Sequence, residues 1–200
     1  MIQFLVLIGA YLLGGVPFGY LLVKWTKGED VRDAGSGNIG ATNVLRTSGR
    51  ALGVATLLLD IAKGFAAVYA MCWVSGESPA WMSAAALAVM AGHAFPVFLK
   101  FQGGKAVATF IGAFLFLTPW PLFASLVVFV AVVWAKRHIS LGSIVACGLL
   151  PFAVWMIQHD DWTVVAASAI AGWFVIWRHK SNIERLREGT ESVFTFSKRR

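Results

Sequence analysis

The sequence predicts an all-α integral membrane protein of about seven transmembrane helices, with its N-terminus outside and its C-terminus cytoplasmic. Three observations carry that expectation. Of the 200 residues, 58% are apolar and 14% charged, and mean hydropathy is +0.71, whereas a water-soluble domain holds about half apolar and about a quarter charged residues. Apolar runs bounded by charge or by Pro and Gly fall near residues 2–23, 51–74, 80–99, 106–118, 121–135, 139–157 and 162–177. The connecting stretches alternate in charge: the first, third and fifth, with the C-terminal tail, hold 16 of the 17 Lys and Arg residues, and those between hold only the acids Glu77, Asp160 and Asp161. By the positive-inside rule the basic side is cytoplasmic.

The run 2–23 has neither a basic n-region before it nor a small-residue cleavage site, so it reads as a retained helix rather than a leader. The run 51–74 carries Asp60 and Lys63 near mid-bilayer, where charge is costly unless paired; a structural ion pair and an ion pathway both fit. The run 80–99 contains Gly92-His93-Ala94-Phe95-Pro96, where His93 fits a packing hydrogen bond or a place beside the third loop. The fourth and fifth runs flank Thr118-Pro119-Trp120-Pro121, and at about 1.5 Å per residue each covers only about 20 Å of a core about 30 Å thick. They fit two short crossings or one re-entrant pair, and removing both leaves every other orientation intact. From Asn182 the tail continues the last run as a short amphipathic helix. Cys72 and Cys147 lie in apolar runs, offer neither disulfide nor metal spacing, and read as packing residues. Without repeat, linker or soluble module, residues 1–200 are expected to form a single transmembrane domain.

Polar sequence beyond what short turns require is concentrated in three places. The first loop is about 27 residues long, a length that usually marks function, and contains Gly35-Ser36-Gly37-Asn38-Ile39-Gly40-Ala41-Thr42-Asn43 with Arg46 following. Its glycines and small donors have the composition of a phosphate cradle, although a solvated connector would also be polar. Gly35, Gly37 and Gly40 spell the dinucleotide fingerprint, but Lys27 to Asp33 before them is no hydrophobic strand and no parallel sheet follows. The second place is Phe101-Gln102-Gly103-Gly104-Lys105, which brings a flexible cation to the membrane boundary. Leu99 stands where a nucleotide-binding loop needs its first glycine, and Ala106 where it needs Ser or Thr, so no nucleotide is expected. The third is Arg178-His179-Lys180-Ser181-Asn182-Ile183-Glu184-Arg185. On a continuous helix, Arg178, His179, Asn182 and Arg185 share a stripe and can converge on one ligand or simply anchor a helix end at headgroups. Ser140 and Ser143, after Lys136 and Arg137, fit phosphate donors or bonds back to their own helix.

Taken in order, these stretches resemble the bacterial integral-membrane glycerol-3-phosphate acyltransferases that use acyl-phosphate as donor, the PlsY family. The resemblance is carried by residues 35–43 with Arg46, by 92–99 running on to Phe101 and 103–109, and by Arg178-His179 with Asn182-Ile183. Two positions depart from the pattern: Gln102 where a lysine is expected, and Ala106 where a third glycine is expected. The resemblance implies transfer of a fatty acyl group from acyl-phosphate to the sn-1 hydroxyl of glycerol 3-phosphate, giving lysophosphatidic acid and phosphate as the first step of phospholipid biosynthesis. It further implies a multi-pass protein of the bacterial inner membrane with its site facing the cytoplasm. The expected partners are glycerol 3-phosphate, acyl-phosphate and membrane lipid, with no nucleic acid, nucleotide, cofactor or metal.

Two phosphate-bearing substrates, one with an apolar tail, suit basic glycine-rich loops beside lipid. A mixed anhydride is already activated, so positioning and charge stabilisation suffice. Ser36, Asn38, Thr42, Asn43, Arg46, Lys105, His179 and Asn182 are the candidate substrate-binding side chains, and Gly37, Gly103 and Gly104 are expected to offer backbone N–H groups. His179 is the candidate general base, with a substrate phosphate oxygen as the alternative. Ser36 as an acylated nucleophile is a third version, for which no neighbouring base is evident. A transporter for an organic anion is the competing function, but its site would lie near the midplane, not at one face.

Overall fold

The computed structural model describes residues 1–158 and 161–194, and every regular element among them is helical. Asp160 and the terminal Lys198, Arg199 and Arg200, which entered the charge count, lie outside the described residues. The chain divides into two compact units, Met1–Leu117 and Thr118–Arg200.

The first unit contains α1 (Ile2–Gly15), α2 (Phe18–Lys27), α3 (Ala41–Thr47), α4 (Arg50–Ser75), α5 (Pro79–Ala94) and α6 (Val107–Leu117). One expected span, 2–23, is instead two helices bent by 40° at Val16-Pro17. Pro17 supplies no amide hydrogen and holds Val16 in an extended conformation, with ψ of 114°. The break releases the Val16 carbonyl, which accepts from the Phe18 N–H (3.1 Å) and from Lys63 Nζ (3.0 Å). Inside a membrane a freed carbonyl needs such a partner.

Small residues let these helices approach closely. A side chain at Gly14 would overlap the Val89 carbonyl of α5, and one at Gly92 the Tyr11 carbonyl of α1. Gly64 and Gly112 make the same reciprocal contact between α4 and α6, against Thr109 and Ile61. Val68, Met71, Val89, Phe110 and Phe114 are fully buried.

The second unit contains α7 (Pro119–Lys136), α8 (Ile139–Ile157), α9 (Trp162–Arg178) and α10 (Lys180–Arg187). Pro119 at the first position starts α7. The fifth expected span is therefore longer than the sequence suggested, at 18 residues, and the fourth is shorter, at 11. Arg137, in the left-handed conformation, turns α7 into α8. Along α7, Phe123, Val127, Val130 and Trp134 form an exposed apolar stripe at helical spacing, a surface that lipid accommodates and water does not.

Among the described residues, four helices are long and apolar enough to cross a membrane: α4, α5 with its extension to Leu99, α7 and α8. The bent pair α1 and α2 makes a fifth, and α6 and α9 are apolar but shorter.

Candidate functional site

In the first unit the long loop is organised around one side chain. Asn43, on the first turn of α3 and only 2% exposed, accepts the Ser36 N–H at 2.9 Å through Oδ1. Its Nδ2 donates to the carbonyls of Val31 (3.2 Å), Ala34 (3.1 Å) and Asn38 (2.8 Å). The amide is therefore committed to shaping the loop, and its expected role as a substrate contact gives way to an organising one. Asn38 turns its Oδ1 to the Gly40 N–H at 2.8 Å. Gly37, at φ +68°, donates its N–H to Ala34 and closes the turn. Beneath the loop, Val23, Val31, Ile39 and Val44 form a buried cluster against which Tyr20, Leu52 and Leu99 pack. Arg32 closes the rim, bound to Asp30 at 2.6 Å and lying 5.1 Å over the Tyr20 ring, and its hydrogen bond holds the Asp30 carboxyl below the usual carboxylate range. This scaffold leaves Ser36, Thr42 and Arg46 exposed, the last two one turn apart on α3.

The second loop is tied to the end of α5. Gly103 N–H donates to Ala94 at 3.2 Å and Gly104 N–H to His93 at 3.1 Å, so the expectation that these amides face a phosphate is not met. What the glycines provide is close approach: a side chain at 103 would overlap the His93 carbonyl and Pro96, and one at 104 the His93 imidazole. Lys105 follows, half-buried, and Ala106 takes φ +60° before α6 begins. That conformation favours glycine, so the departure noted at Ala106 falls where an alanine is strained. His93 in turn faces the ion pair of α4, in which Lys63 Nζ lies 2.7 Å from Asp60 Oδ1, with both side chains buried. Asp60 and Lys63 thus form an ion pair within one helix.

In the second unit the expected continuous helix is broken at His179, which ends α9 and begins α10 with φ −95° and ψ 11°. Arg178 stays on α9, its guanidinium 5.8 Å over Trp177. His179 is buried, and its Nδ1 lies 2.8 Å from the Val175 carbonyl. A carbonyl only accepts, so Nδ1 donates its hydrogen to it, and in the neutral ring Nε2 is then the acceptor. Asn182 donates its N–H to the His179 carbonyl at 2.9 Å.

Sequence reasoning missed Glu191. The chain turns back at Gly189 (φ +71°) and brings this carboxylate to Asn182 Nδ2 (2.7 Å), Ser140 Oγ (2.8 Å) and Arg185 Nε (2.8 Å). An acid among basic residues gives no signal of partners 6, 9 and 51 residues away. Two residues proposed as anion donors, Asn182 and Ser140, thus already hold an anion of the protein, while Ser143 bonds back to Ile139 at 3.0 Å. The tail is tied further by the Phe194 N–H to Arg137 (2.6 Å) and by His138 to Ser192 (3.2 Å).

Burial opposes the Glu191 charge, but hydrogen bonds from Asn182, Ser140 and Arg185, with the Arg185 charge, outweigh it and hold the carboxyl below its ordinary 4.5. A depressed folded pKa contributes stability above the unfolded value that is lost as pH falls through the folded one. Wild type should therefore have the higher Tm over Glu191→Gln at neutral pH, and the gap should close below about pH 4.5. A gap independent of pH would dissociate the tail's stability from this charge.

Comparison with known proteins places these features in context. A family model described as glycerol-3-phosphate acyltransferase matches residues 4–189. A glycerol-3-phosphate acyltransferase of Desulforamulus reducens is 45% identical over 188 residues, covering 94% of this chain and 92% of that one. One of Trichlorobacter lovleyi is 47% identical over 186 residues, covering 93% and 94%. Among solved structures, the glycerol 3-phosphate form of PlsY (YgiH), an integral membrane glycerol 3-phosphate acyltransferase, superposes with a TM-score of 0.92 at 35% identity, covering 98% of this chain and 96% of that one. Its lysophosphatidic acid form gives 0.88 at 33% identity, with the same coverage.

Proposed function

The chain belongs to the glycerol-3-phosphate acyltransferase family, and from that premise we infer that it transfers a fatty acyl group from acyl-phosphate to the sn-1 hydroxyl of glycerol 3-phosphate. The products are lysophosphatidic acid and inorganic phosphate. The observation that carries this reading is near-complete structural similarity to an acyltransferase solved in its glycerol 3-phosphate and lysophosphatidic acid forms.

In the reaction the acceptor hydroxyl oxygen bonds to the acyl carbon, the carbon–oxygen bond to phosphate breaks, and phosphate leaves with the bonding electrons. The hydroxyl proton passes to His179 Nε2 or to a substrate phosphate oxygen. The first route is supported by the Nδ1 contact to Val175, which presents Nε2 as the acceptor. Ser36, Thr42, Arg46 and Lys105 supply donors and cations for the phosphates, while the first loop and the glycine pair hold their backbone in place. Asn182 serves beside His179, its amide oriented by Glu191.

Both units belong to one acyltransferase domain. The chain crosses the membrane seven times: once with α1 and α2 together, then with α4, α5, α6, α7, α8 and α9. Its N-terminus is outside, and the basic loops and the site face the cytoplasm of a bacterial inner membrane. This topology is supported by the 16 basic residues on alternate connections.

The purified protein in detergent, given palmitoyl-phosphate without ATP or added metal, is expected to release phosphate and form lysophosphatidic acid only when glycerol 3-phosphate is present. Phosphate release indifferent to the acceptor, or none from folded protein with any acyl donor, would overturn the reading.

A further inference from the structure

The buried cluster of Asp60, Lys63 and His93 lies behind the glycine loop, and the acyl-transfer chemistry leaves it unused. Asp60 is 2% exposed, Lys63 3% and His93 4%, burial that charged groups tolerate only when paired. His93 Nδ1 faces Asp60 Oδ1 at 3.6 Å, and the same oxygen holds Lys63 Nζ at 2.7 Å. The opposite edge of the imidazole meets the backbone of residue 104. A Cβ placed there would overlap Nε2 and lie 3.0 Å from Cδ2 and 3.1 Å from Cε1. His93 and Ala94 also accept the N–H groups of Gly104 and Gly103. One side chain and two carbonyls at the end of α5 therefore determine where the loop runs, and Lys105 is its next residue.

Resting on the acyltransferase reading, we propose that Asp60 and His93 are positioning residues for the acceptor's phosphate. The carboxylate orients the imidazole, the imidazole sets the backbone of Gly103 and Gly104, and the backbone sets the Lys105 ammonium. On this account residue 104 is glycine because His93 fills the space a side chain would need, and not because its N–H meets a phosphate.

The consequence is compensation: shortening His93 makes room for a side chain at 104. The test uses Gly104→Ala, His93→Ala, His93→Ser, Asp60→Asn and the doubles of Gly104→Ala with each His93 variant. For each, Tm and steady-state phosphate release are measured with glycerol 3-phosphate varied at saturating palmitoyl-phosphate. Gly104→Ala should raise the acceptor KM about tenfold or more and lower Tm, since contacting residues couple strongly. Either double should recover most of the Tm loss and bring KM to within about threefold of its His93 single variant. Asp60→Asn, which keeps the shape, should raise the acceptor KM about three- to tenfold with kcat changed less than about threefold. A merely structural defect would lower the active fraction, and with it kcat, without moving KM.

A Gly104→Ala defect equally severe with and without the imidazole would overturn the proposal, as would Asp60→Asn acting on kcat alone. The Tm arm of the cycle requires no turnover. Failure of wild type to release acceptor-dependent phosphate would count against the acyltransferase reading, while absent Tm compensation would count against the packing argument.

Discussion

Replacing Asn43 by alanine is expected to lower kcat/KM at least about 100-fold and to expose the first loop to trypsin. The side chain accepts the Ser36 N–H and shares its two Nδ2 hydrogens among the carbonyls of Val31, Ala34 and Asn38. At about 1 kcal/mol net for each bond, and more where a partner stays buried, losing them costs about 3–5 kcal/mol. That exceeds what holds most loops in one conformation. The sharper variant is Asn43→Asp. It keeps the volume and the acceptor for Ser36 but turns a carboxylate oxygen toward three carbonyls, so it should be at least as damaging as alanine. Cleavage after Arg32 or Arg46, followed with the kinetics, reads the loop directly. Asn43→Asp activity within about twofold of wild type would show that the three donated bonds do not hold the loop.

Substitutions at His179 should separate the two routes for the proton. If Nε2 is the base, His179→Ala, His179→Asn and His179→Gln all lose about 10²- to 10⁴-fold in kcat. His179→Asn is the informative member, because its amide can still donate to Val175 while supplying no base. A kcat within about tenfold of wild type in His179→Asn or His179→Gln would shift the proton to a substrate phosphate and leave His179 a binding residue.

Much of the architecture was legible because hydropathy acts over long stretches of chain. All seven apolar runs became helical, and the polar motifs stood out because a membrane protein has little reason to place Gly35 to Asn43 or Gly103 to Lys105 in so apolar a sequence. The break at Val16-Pro17 was concealed because the apolar run continues across it from Ile2 to Val23, although Pro17 itself was visible. Composition identified the loops but left the direction of their hydrogen bonds open. Asn43 has the chemistry of a ligand contact and spends it on the loop, while Gly103 and Gly104 look like anion donors and bond to α5. Those directions depend on which helix end lies behind the loop, a property of packing with no local signature. The family pattern marked Ala106 as unusual, and the positive φ there supplies the physical reason.

The bond from Lys63 to the Val16 carbonyl bears on how the chain enters the bilayer. A lysine near the middle of a helix costs about 2.5–3.5 kcal/mol on insertion when it enters alone. α1 and α2 leave the ribosome before α4, so the Val16 carbonyl, which already accepts from the Phe18 N–H and has a second lone pair, is in place when the charged segment arrives. Lys63 has Asp60 beside it on its own helix, and the Val16 carbonyl adds a second partner from the first segment, which favours their partitioning from the translocon together as a hairpin over entry of either one singly.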